Sequence, residues 1–349
     1  MRVLFVVPPR FGLHRGGLEI QIEKTAAELQ AMDVDVVKYN PWRDELSGAD
    51  VCHGFTFDGS ILPYALEASR RNVPFVISPV SNLVSVSRIS ITSRIFLSKY
   101  IPGVFSDLKR AVAISRCAQV AVAQTELEAN LLHRAFGVSK EHIEIVPNGL
   151  ARTSKEGNSN LFFEKYGLRD FVLCVGSIDR NKNQETLIRA VKGRNLQLVL
   201  VGRAAVGQEN YEQHCRKLAD DNVLFTGFIE PGNPIIASAF AAARVVAVPS
   251  FMETWGLAMY EGALAGCHLA VSSTIPLHEV IARRVKIIGP KRVKQWSRVL
   301  EELCRTPVSS ELSRIVDATF PSWHGVAHQL RQVYDGILGG SEQRHRYEK

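Results

Sequence analysis

The stretch Val245–Ala263, VVAVPSFMETWGLAMYEGA, decides the fold of this 349-residue chain. A continuous apolar run ends at Pro249-Ser250, a loop that contains Gly256 follows, and a helical pattern begins at Leu257. A buried strand that passes through a glycine-bearing loop into a helix is the βα unit of a parallel sheet. The loop of such a unit offers free backbone N–H groups at the positive end of a helix, where anions bind. The stretch therefore predicts a parallel sheet with an anion-binding loop at its carboxyl edge.

Two glutamates of this stretch lie eight residues apart, Glu253 in the loop and Glu261 in the helix. The loop supplies N–H donors at Trp255, Gly256 and Leu257, which suit a diphosphate or sugar hydroxyls. A carboxylate such as Glu261 can bridge the two vicinal hydroxyls of a ribose, as acidic residues do in dinucleotide sites. Taken alone, the glutamates are better explained as a first-turn residue that interacts with the helix dipole and a solvated helix residue.

The rest of the sequence alternates short apolar runs with helical patterns, which predicts parallel sheets built from βαβ units. One alternating series runs from residue 3 to residue 146, and a second runs from residue 171 to residue 304. The polar residues Ala151–Asn160 between them have the composition of a linker. We therefore predict an α/β protein of two doubly wound Rossmann-like domains that face a central cleft, with the ligand beyond the strand ends.

The composition is that of an ordinary globular protein. Hydrophobic residues make up 46% of the chain and charged residues 22%, which excludes disordered and fibrous proteins. The first apolar run, Val3–Val7, is too short for a secretory leader, and no stretch reaches the length of about 20 apolar residues that spans a bilayer. The six cysteines are scattered without metal-ligand spacing, as in the reduced core of a cytoplasmic protein.

The net charge of +7 at pH 7 is concentrated in two basic clusters, residues 70–116 and 283–298. Each is explained equally well as a solvated face or as a surface for an anionic membrane or a phosphorylated ligand. Neither cluster is interleaved with stacking aromatic residues, which disfavours nucleic acid as a partner. The segment 83–114 predicts either a core-facing helix pair with a basic outer side or an amphipathic element on the inner face of a membrane. Its basic residues are Arg88, Arg94, Lys99, Lys109 and Arg110.

The motifs, taken in order, resemble those of the retaining GT-B glycosyltransferases, in particular glycosyltransferase family 4, the glycosyl transferases group 1. The stretch Glu253–Glu261 is similar to the family's EGFG-L block, which has a second glutamate eight residues later. The order of the other blocks, across nearly the whole chain, makes the resemblance specific. These blocks are Gly16-Gly17, Asp50–His53, Pro74–Pro79, Ile145–Gly149, Val175–Asn183, Phe225–Phe228 and Ser322–His324.

The resemblance implies a GT-B fold with three segments. Residues 1–155 would form an N-terminal acceptor-side domain, 156–319 a C-terminal nucleotide-sugar-binding domain, and 320–349 a helix that crosses back to the N-terminal domain. It also implies transfer of a sugar from a UDP- or GDP-linked donor to a glycan, lipid-linked or small-molecule acceptor, with retained anomeric configuration. Neither a metal nor a cofactor besides the donor is expected, and the protein mainly positions the reactants and stabilises phosphate charge.

The family's roles carry over to the matching positions of this chain. Lys182 is the expected diphosphate cation, Glu261 the ribose ligand, and Glu253 faces the donor sugar or its phosphate. Gly16 and Gly17 would let the first domain close over the phosphates, although paired glycines before a helix are more often simple turn residues. The other implied donor-site residues are Gly176, Ser177, Arg180, Arg203, Gly227, Phe228, Thr254, Trp255, Gly256 and Leu257.

The chain departs from the family pattern at several positions. Ser177 stands where the family often has an arginine, so Arg180, Arg203 or another basic residue is expected to supply the second phosphate cation. Thr254-Trp255 replaces the usual Gly-Phe and keeps the N–H groups of the loop. Because Val80 or Ser81 falls where a histidine is frequent, no histidine has an expected catalytic role. His53 is either an acceptor-side ligand or a hydrogen-bonded core residue.

Two other functions fit the same features. One is another GT-B enzyme, either a sugar-nucleotide epimerase, which needs an acid/base pair of its own, or a phosphorylase, which is usually longer. The other is a catalytically weak partner subunit that binds a sugar nucleotide, an alternative that Ser177 and Val80 favour. Donor hydrolysis or transfer by the purified chain alone distinguishes an enzyme from such a subunit.

Overall fold

The structure is a computed structural model that describes residues 1–9, 11–12, 16–80, 88–100, 106–152 and 157–347, without the side chains of residues 88–90, 98–100 and 340–347. Its internal contacts divide the chain into two units. The first unit comprises Met1–Gly149 and Trp323–Lys349, and the second comprises Leu150–Ser322.

Short strands and helices alternate along almost the whole described chain. The strands are β1 (Arg2–Val6), β2 (Asp35–Lys38), β3 (Val51–Phe55), β4 (Phe75–Ser78), β5 (Val120–Ala123), β6 (Ile143–Ile145), β7 (Phe171–Val175), β8 (Leu198–Val201), β9 (Val223–Gly227), β10 (Ala243–Val248), β11 (His268–Ser272) and β12 (Lys286–Ile288). The α-helices are α1 (Gly17–Gln30), α2 (Leu62–Arg70), α3 (Arg88–Tyr100), α4 (Ser106–Cys117), α5 (Glu126–Leu131), α6 (Asn160–Tyr166), α7 (Gln184–Val191), α8 (Glu209–Leu218), α9 (Pro234–Ala242), α10 (Leu257–Leu264), α11 (Glu279–Ala282), α12 (Val293–Arg305), α13 (Glu311–Thr319) and α14 (Trp323–Tyr347).

Each unit is built on a six-stranded sheet whose described strand pairs are parallel. The strand order is β2-β1-β3-β4-β5-β6 in the first sheet and β12-β11-β10-β7-β8-β9 in the second. In both sheets the chain begins on an inner strand, fills one side and then fills the other. The order therefore reverses between β1 and β3 and between β7 and β10, which are the places where such sheets bind ligands. The prediction of a doubly wound, Rossmann-like α/β architecture is confirmed.

The alternation of side chains along β1 shows how the first sheet divides its core between two faces. Leu4 and Val6 belong to one apolar cluster, and Val3 and Phe5 belong to the other. The second cluster also contains residues of α1 and α14, and those of α14 are Val326, Ala327, Leu330 and Tyr334. Full burial of a large apolar side chain stabilises a fold by about 1.5–3 kcal/mol. The last helix is therefore part of the core of the first unit.

The contacts around Leu150 define where the second unit begins and ends. Leu150 pairs with Ser322 in an isolated parallel bridge, and its N–H donates to the carbonyl oxygen of Pro321 at 3.0 Å. Arg152 forms an ion pair with Asp317 at 2.5 Å. Residues 150–152 and 320–322 thus lie with the second unit, whereas we expected them in the segments 1–155 and 320–349.

Two helices of the second unit, α6 and α13, are not predicted from the sequence. The first begins at Asn160, at the end of the expected linker, and has seven residues. It forms because it buries Phe162 in the core of the unit, and a seven-residue segment does not reveal this contact with distant parts of the chain. Residues 153–156 of the expected linker lie outside the described residues.

The basic segment 83–114 contains α3 and α4. Within the described part of α3, Ile91 and Ile95 are buried in the first unit, whereas Phe96 and Leu97 are exposed at 55% and 44%. The side chains of Arg88 and Lys99 lie outside the described residues. None of the helices in the described residues combines the length and the apolar character needed to cross a membrane.

Candidate functional site

The candidate site lies on the second unit, at the carboxyl ends of β7 and β10, where the strand order reverses. Two loops follow these strands: residues 176–183, which lead into α7, and residues 249–256, which lead into α10. Most of the residues that the sequence predicts for donor binding lie on these two loops. At such a reversal point the neighbouring connections lie on opposite faces of the sheet, which is where doubly wound sheets bind their ligands.

Two asparagines join these loops to each other. The carbonyl oxygen of Asn181 accepts from the Phe251 N–H at 2.8 Å, and its side chain exchanges two hydrogen bonds of 3.0 Å with the backbone of Met252. Asn183 adopts a left-handed conformation with φ of 56°, and its Nδ2 donates to the carbonyl oxygen of Pro249 at 3.0 Å. The sequence analysis assigns no role to either residue, although asparagine is well suited to left-handed turns. These bonds hold the two loops in one geometry.

Lys182 and Glu253 meet where the two loops come together. Lys182 Nζ lies 2.6 Å from Glu253 Oε1, and the two side chains are 26% and 11% exposed. Burial alone would lower the pKa of Lys182, but the charge and hydrogen bond of Glu253 and the charge of Asp179 together raise it above its ordinary value. The ammonium group is therefore fully charged at neutral pH. Gly176 adopts φ of 148°, a backbone conformation that favours glycine, and a Cβ there would only touch Lys182 Cε at 3.5 Å, so the backbone angle and not the space calls for glycine.

The start of α10 provides backbone donors beside this ion pair. Gly256 has φ of 78° and caps the helix, which begins at Leu257. Within the described residues, no backbone acceptor is bonded to the N–H groups of Trp255, Gly256 and Leu257. The positive end of a helix with free N–H groups favours anions. Thr254 lies in the same loop, and the indole ring of Trp255 is buried and stacked on Tyr260 at 4.8 Å.

Glu261 occupies the second turn of α10 and is partly buried. Among the described residues its carboxyl has no hydrogen-bond or ion-pair partner. Burial raises the pKa of Glu261 to about 7. A carboxyl of this kind is stabilised in its charged form by a ligand that donates hydrogen bonds to it.

The two arginines predicted as alternatives for the second phosphate cation, Arg180 and Arg203, lie beside different aromatic residues. Both are exposed, and neither forms an ion pair within the described residues. The guanidinium of Arg180 lies 5.7 Å from the ring centre of Tyr211, a residue of α8. That of Arg203 lies 4.7 Å from the ring centre of Phe228, just after β9. The carbonyl oxygen of Arg203 also accepts from the N–H of Ile178 at 2.8 Å, so its backbone lies against the loop after β7.

Ser177 does not present a charge to the site. Its hydroxyl donates to Asp179 Oδ2 at 2.6 Å, and the backbone N–H of Lys182 donates to Asp179 Oδ1 at 2.8 Å. Asp179 therefore caps the loop and fixes the residue that carries the ammonium group. The sequence analysis names Asp179 only as part of a motif and does not identify this role.

Glycines follow three neighbouring strands at this edge of the sheet: Gly176 after β7, Gly202 after β8 and Gly227 at the end of β9. A Cβ at Gly202 would overlap the carbonyl oxygen of Gly176. The sequence analysis predicts Gly176 and Gly227 but misses Gly202. Its position directly after the apolar run Leu198–Val201 could have identified it as a strand-end glycine.

The predicted residues of the first unit are described separately. Gly16 precedes α1, and its N–H donates to Glu19 Oε2 at 3.0 Å, while Gly17 is the first residue of the helix. His53 is fully buried inside β3, two residues before the strand ends at Phe55. Its ring nitrogens lie 2.6 Å from the Tyr334 hydroxyl and 2.8 Å from the Ser78 hydroxyl.

Burial also lowers the pKa of His53 to about 3. Of the two interpretations that the sequence allows, the structure supports the hydrogen-bonded core residue. Of the two residues that fall where the family often has a histidine, Val80 adopts φ of 42° and Ser81 lies outside the described residues.

Residues 160–318 match the family model of the glycosyl transferases group 1. The chain is 26% identical over 261 residues to an uncharacterized glycosyltransferase of Methanocaldococcus jannaschii, and the match covers 66% of this chain and 65% of that relative. It is 23% identical over 240 residues to a D-inositol 3-phosphate glycosyltransferase of Corynebacterium diphtheriae, with 62% and 56% covered. The chain thus spans less than two thirds of the length of these curated relatives.

Among solved structures, HepE of Anabaena in complex with UDP-glucose superimposes with a TM-score of 0.73 at 16% identity. The likeness covers 96% of this chain and 100% of that one. The fold is therefore GT-B, and residues 160–318 of the second unit are similar to the glycosyl transferases group 1. The expected GT-B fold is confirmed.

Proposed function

We propose that the chain is a glycosyltransferase that moves a sugar from a UDP- or GDP-linked donor to a glycan, a lipid-linked or a small-molecule acceptor. One observation carries the proposal: a charged lysine and the free N–H groups at the start of α10 share the reversal point of the second sheet. A cation beside a positive helix end is an arrangement that binds a diphosphate. The HepE structure, whose ligand is UDP-glucose, gives independent support for a nucleotide sugar.

Each site residue has a role in this proposal. Lys182 and the N–H groups of Trp255, Gly256 and Leu257 bind the diphosphate. Glu261 accepts hydrogen bonds from the two ribose hydroxyls, which stabilise its ionised form against the effect of burial. Glu253, on the same loop as the N–H donors, faces the transferred sugar.

We propose transfer with retention of the anomeric configuration. The bond between the anomeric carbon and the phosphate oxygen breaks as the acceptor hydroxyl attacks on the same face of the sugar. The leaving phosphate oxygen takes the proton of that hydroxyl, so no protein base is required. Lys182 and the helix end stabilise the negative charge that develops on the diphosphate. Because they supply this positive charge, we propose that neither a metal nor a cofactor besides the donor is needed.

Arg203 is our choice for the second phosphate cation. Its backbone carbonyl accepts the N–H of Ile178 in the loop after β7, and its guanidinium lies 4.7 Å from the ring centre of Phe228. The guanidinium of Arg180 lies farther from its aromatic neighbour, at 5.7 Å from the ring centre of Tyr211 on α8. A guanidinium held over an aromatic ring keeps its charge and loses less conformational entropy when it binds an anion.

We further propose that the protein is cytoplasmic and that its first unit contacts an anionic membrane surface, where a lipid-linked acceptor would be reached. The exposed residues Phe96 and Leu97 of α3 support this, together with the exposed Arg94 on the same helix and Lys109 on α4. Apolar side chains flanked by basic ones bind anionic lipid through burial of apolar surface and through electrostatic attraction to the headgroups.

The alternative is a partner subunit that binds a sugar nucleotide without efficient transfer. The hydrogen bond from Ser177 to Asp179 favours it, because this position adds no cation to the diphosphate site. Two measurements on the purified chain decide between the functions. Thermal stabilisation by UDP, GDP, ADP and their sugars identifies the donor, since a ligand at about 100 times its Kd stabilises by about 2.7 kcal/mol. Hydrolysis or transfer of that donor by the chain alone then identifies an enzyme, and binding without turnover identifies the subunit.

A further inference from the structure

The Glu253 carboxylate receives two donors at a single oxygen atom. Lys182 Nζ lies 2.6 Å from Oε1, and the Ser250 hydroxyl donates to the same atom at 2.7 Å. Ser250 is 1% exposed and directly follows Pro249 after β10. Its carbonyl oxygen accepts from Thr274 Oγ1 at 3.1 Å. The serine is therefore fixed from both its side chain and its backbone, and it is not among the residues predicted from the sequence.

The Lys182 ammonium group, which we propose binds the donor diphosphate, is already paired with Glu253 in the structure. A diphosphate carries more negative charge than one carboxylate, so it competes for Lys182 effectively. Glu253 would then lose its cation in a largely buried place, where an unpaired carboxylate is costly. The Ser250 hydroxyl remains bonded to it, and a sugar hydroxyl can replace the lost ammonium donor.

We propose that Ser250 is a positioning residue for an exchange of partners: it holds Glu253 in place while Lys182 leaves the carboxylate for the donor diphosphate, which frees Glu253 for a sugar hydroxyl. The inference rests on the proposed function and deepens it. Binding of the phosphate and binding of the sugar are then coupled through one oxygen atom. The nucleoside diphosphate product lacks the sugar hydroxyl that would bind Glu253. Lys182 therefore pairs with the carboxylate again, and the product dissociates more readily than the donor.

Calorimetric titration with UDP and UDP-glucose tests the exchange, with GDP and GDP-mannose in their place if guanine is the preferred base. Glu253→Gln removes the charge that competes for Lys182. We expect it to tighten UDP about three- to tenfold and to abolish the extra affinity that the sugar provides. Glu302→Gln is the matched control, because Glu302 pairs with Lys286 at 2.8 Å on the exposed surface of the same unit. It should change neither affinity.

Ser250→Ala tests the positioning role. We expect the affinity for UDP-glucose and kcat to fall about fivefold, with the affinity for UDP unchanged, and Ser250→Thr to restore both because it keeps the hydroxyl. Equal losses for UDP and UDP-glucose would show that Ser250 acts only on the fold. Unchanged or weaker UDP binding by Glu253→Gln would overturn the exchange. If no nucleoside diphosphate binds the wild-type chain, the proposed function itself fails, which is a different result.

Discussion

The carboxyl of Glu261 should make nucleotide binding depend on pH. In the free protein its pKa is about 7, because burial disfavours the charged form. The ribose hydroxyls need the ionised form as their acceptor, so the nucleotide binds the deprotonated protein. The sign follows directly: as the pH falls through 7 the carboxyl is protonated, and the affinity falls with it. Above pH 8 the affinity reaches a plateau.

The size of the effect can be worked out from the same value. A group with a pKa near 7 is about nine-tenths ionised at pH 8 and about one-tenth ionised at pH 6. If the bound nucleotide returns the pKa of Glu261 to its ordinary range, the Kd rises about tenfold between pH 8 and pH 6. Replacing Glu261 by glutamine removes the charged acceptor and should cost about 1.5–3 kcal/mol at pH 8, or about a 10- to 150-fold loss of affinity.

Isothermal titration of the preferred nucleoside diphosphate at pH 6, 7 and 8 measures both effects. Because the phosphates of the nucleotide titrate in the same range, the informative quantity is the difference between the wild type and Glu261→Gln. The variant should show a flatter profile than the wild type, and Glu302→Gln should reproduce the wild type. Parallel profiles for the wild type and Glu261→Gln, or equal affinities at pH 8, would refute the assignment of Glu261 to the ribose.

The other predictions concern the phosphate and the membrane. Lys182→Ala should lower the transfer rate about a hundredfold or more while the circular dichroism spectrum stays unchanged, and EDTA should leave wild-type activity intact; a rate that survives the substitution would show that Lys182 does not bind the diphosphate. Arg203→Ala should weaken nucleoside diphosphate binding in calorimetry by about 1.5–3 kcal/mol, whereas Arg180→Ala should change it little; the reverse result would assign the second cation to Arg180. Wild-type protein should sediment with anionic but not neutral vesicles at low salt, and Arg94→Ser combined with Lys109→Ser should reduce this without affecting nucleotide binding. Protein that stays in the supernatant with anionic vesicles would exclude the membrane contact.

Regular elements with a clear period were predictable from the sequence. The strand Phe171–Val175 opens the second alternating series where the sequence predicts it, and the helix Gln184–Val191 follows, because a buried strand and an amphipathic helix leave their periods in the sequence. The short helix α6 was not predictable, because it depends on the burial of Phe162 in a core assembled from distant segments. His53 shows the same limit: its partner Tyr334 is 281 positions away.

In the candidate site, too, some residues could be predicted from the sequence and others could not. The resemblance to the family's motifs indicated Lys182, Glu253 and Glu261. The hydrogen bonds of Asn181 and Ser250 could not be predicted, because they join segments about 70 positions apart or turn a side chain toward a particular oxygen atom. A residue's type and spacing indicate its chemistry, but its partners depend on how the loops fold.

Because α14 packs on the first unit, that unit cannot complete its core until the end of the chain has been synthesised. Because synthesis runs from the N-terminus, β1 and β3 leave the ribosome long before Val326, Leu330 and Tyr334 are available to cover them. The second unit is contiguous and can complete its core in the meantime. During that interval the first sheet has an uncovered apolar face, and the His53 ring lacks the hydroxyl that it contacts at 2.6 Å in the finished protein. A nascent chain that stops before residue 323 therefore carries a complete second unit and an unfinished first one.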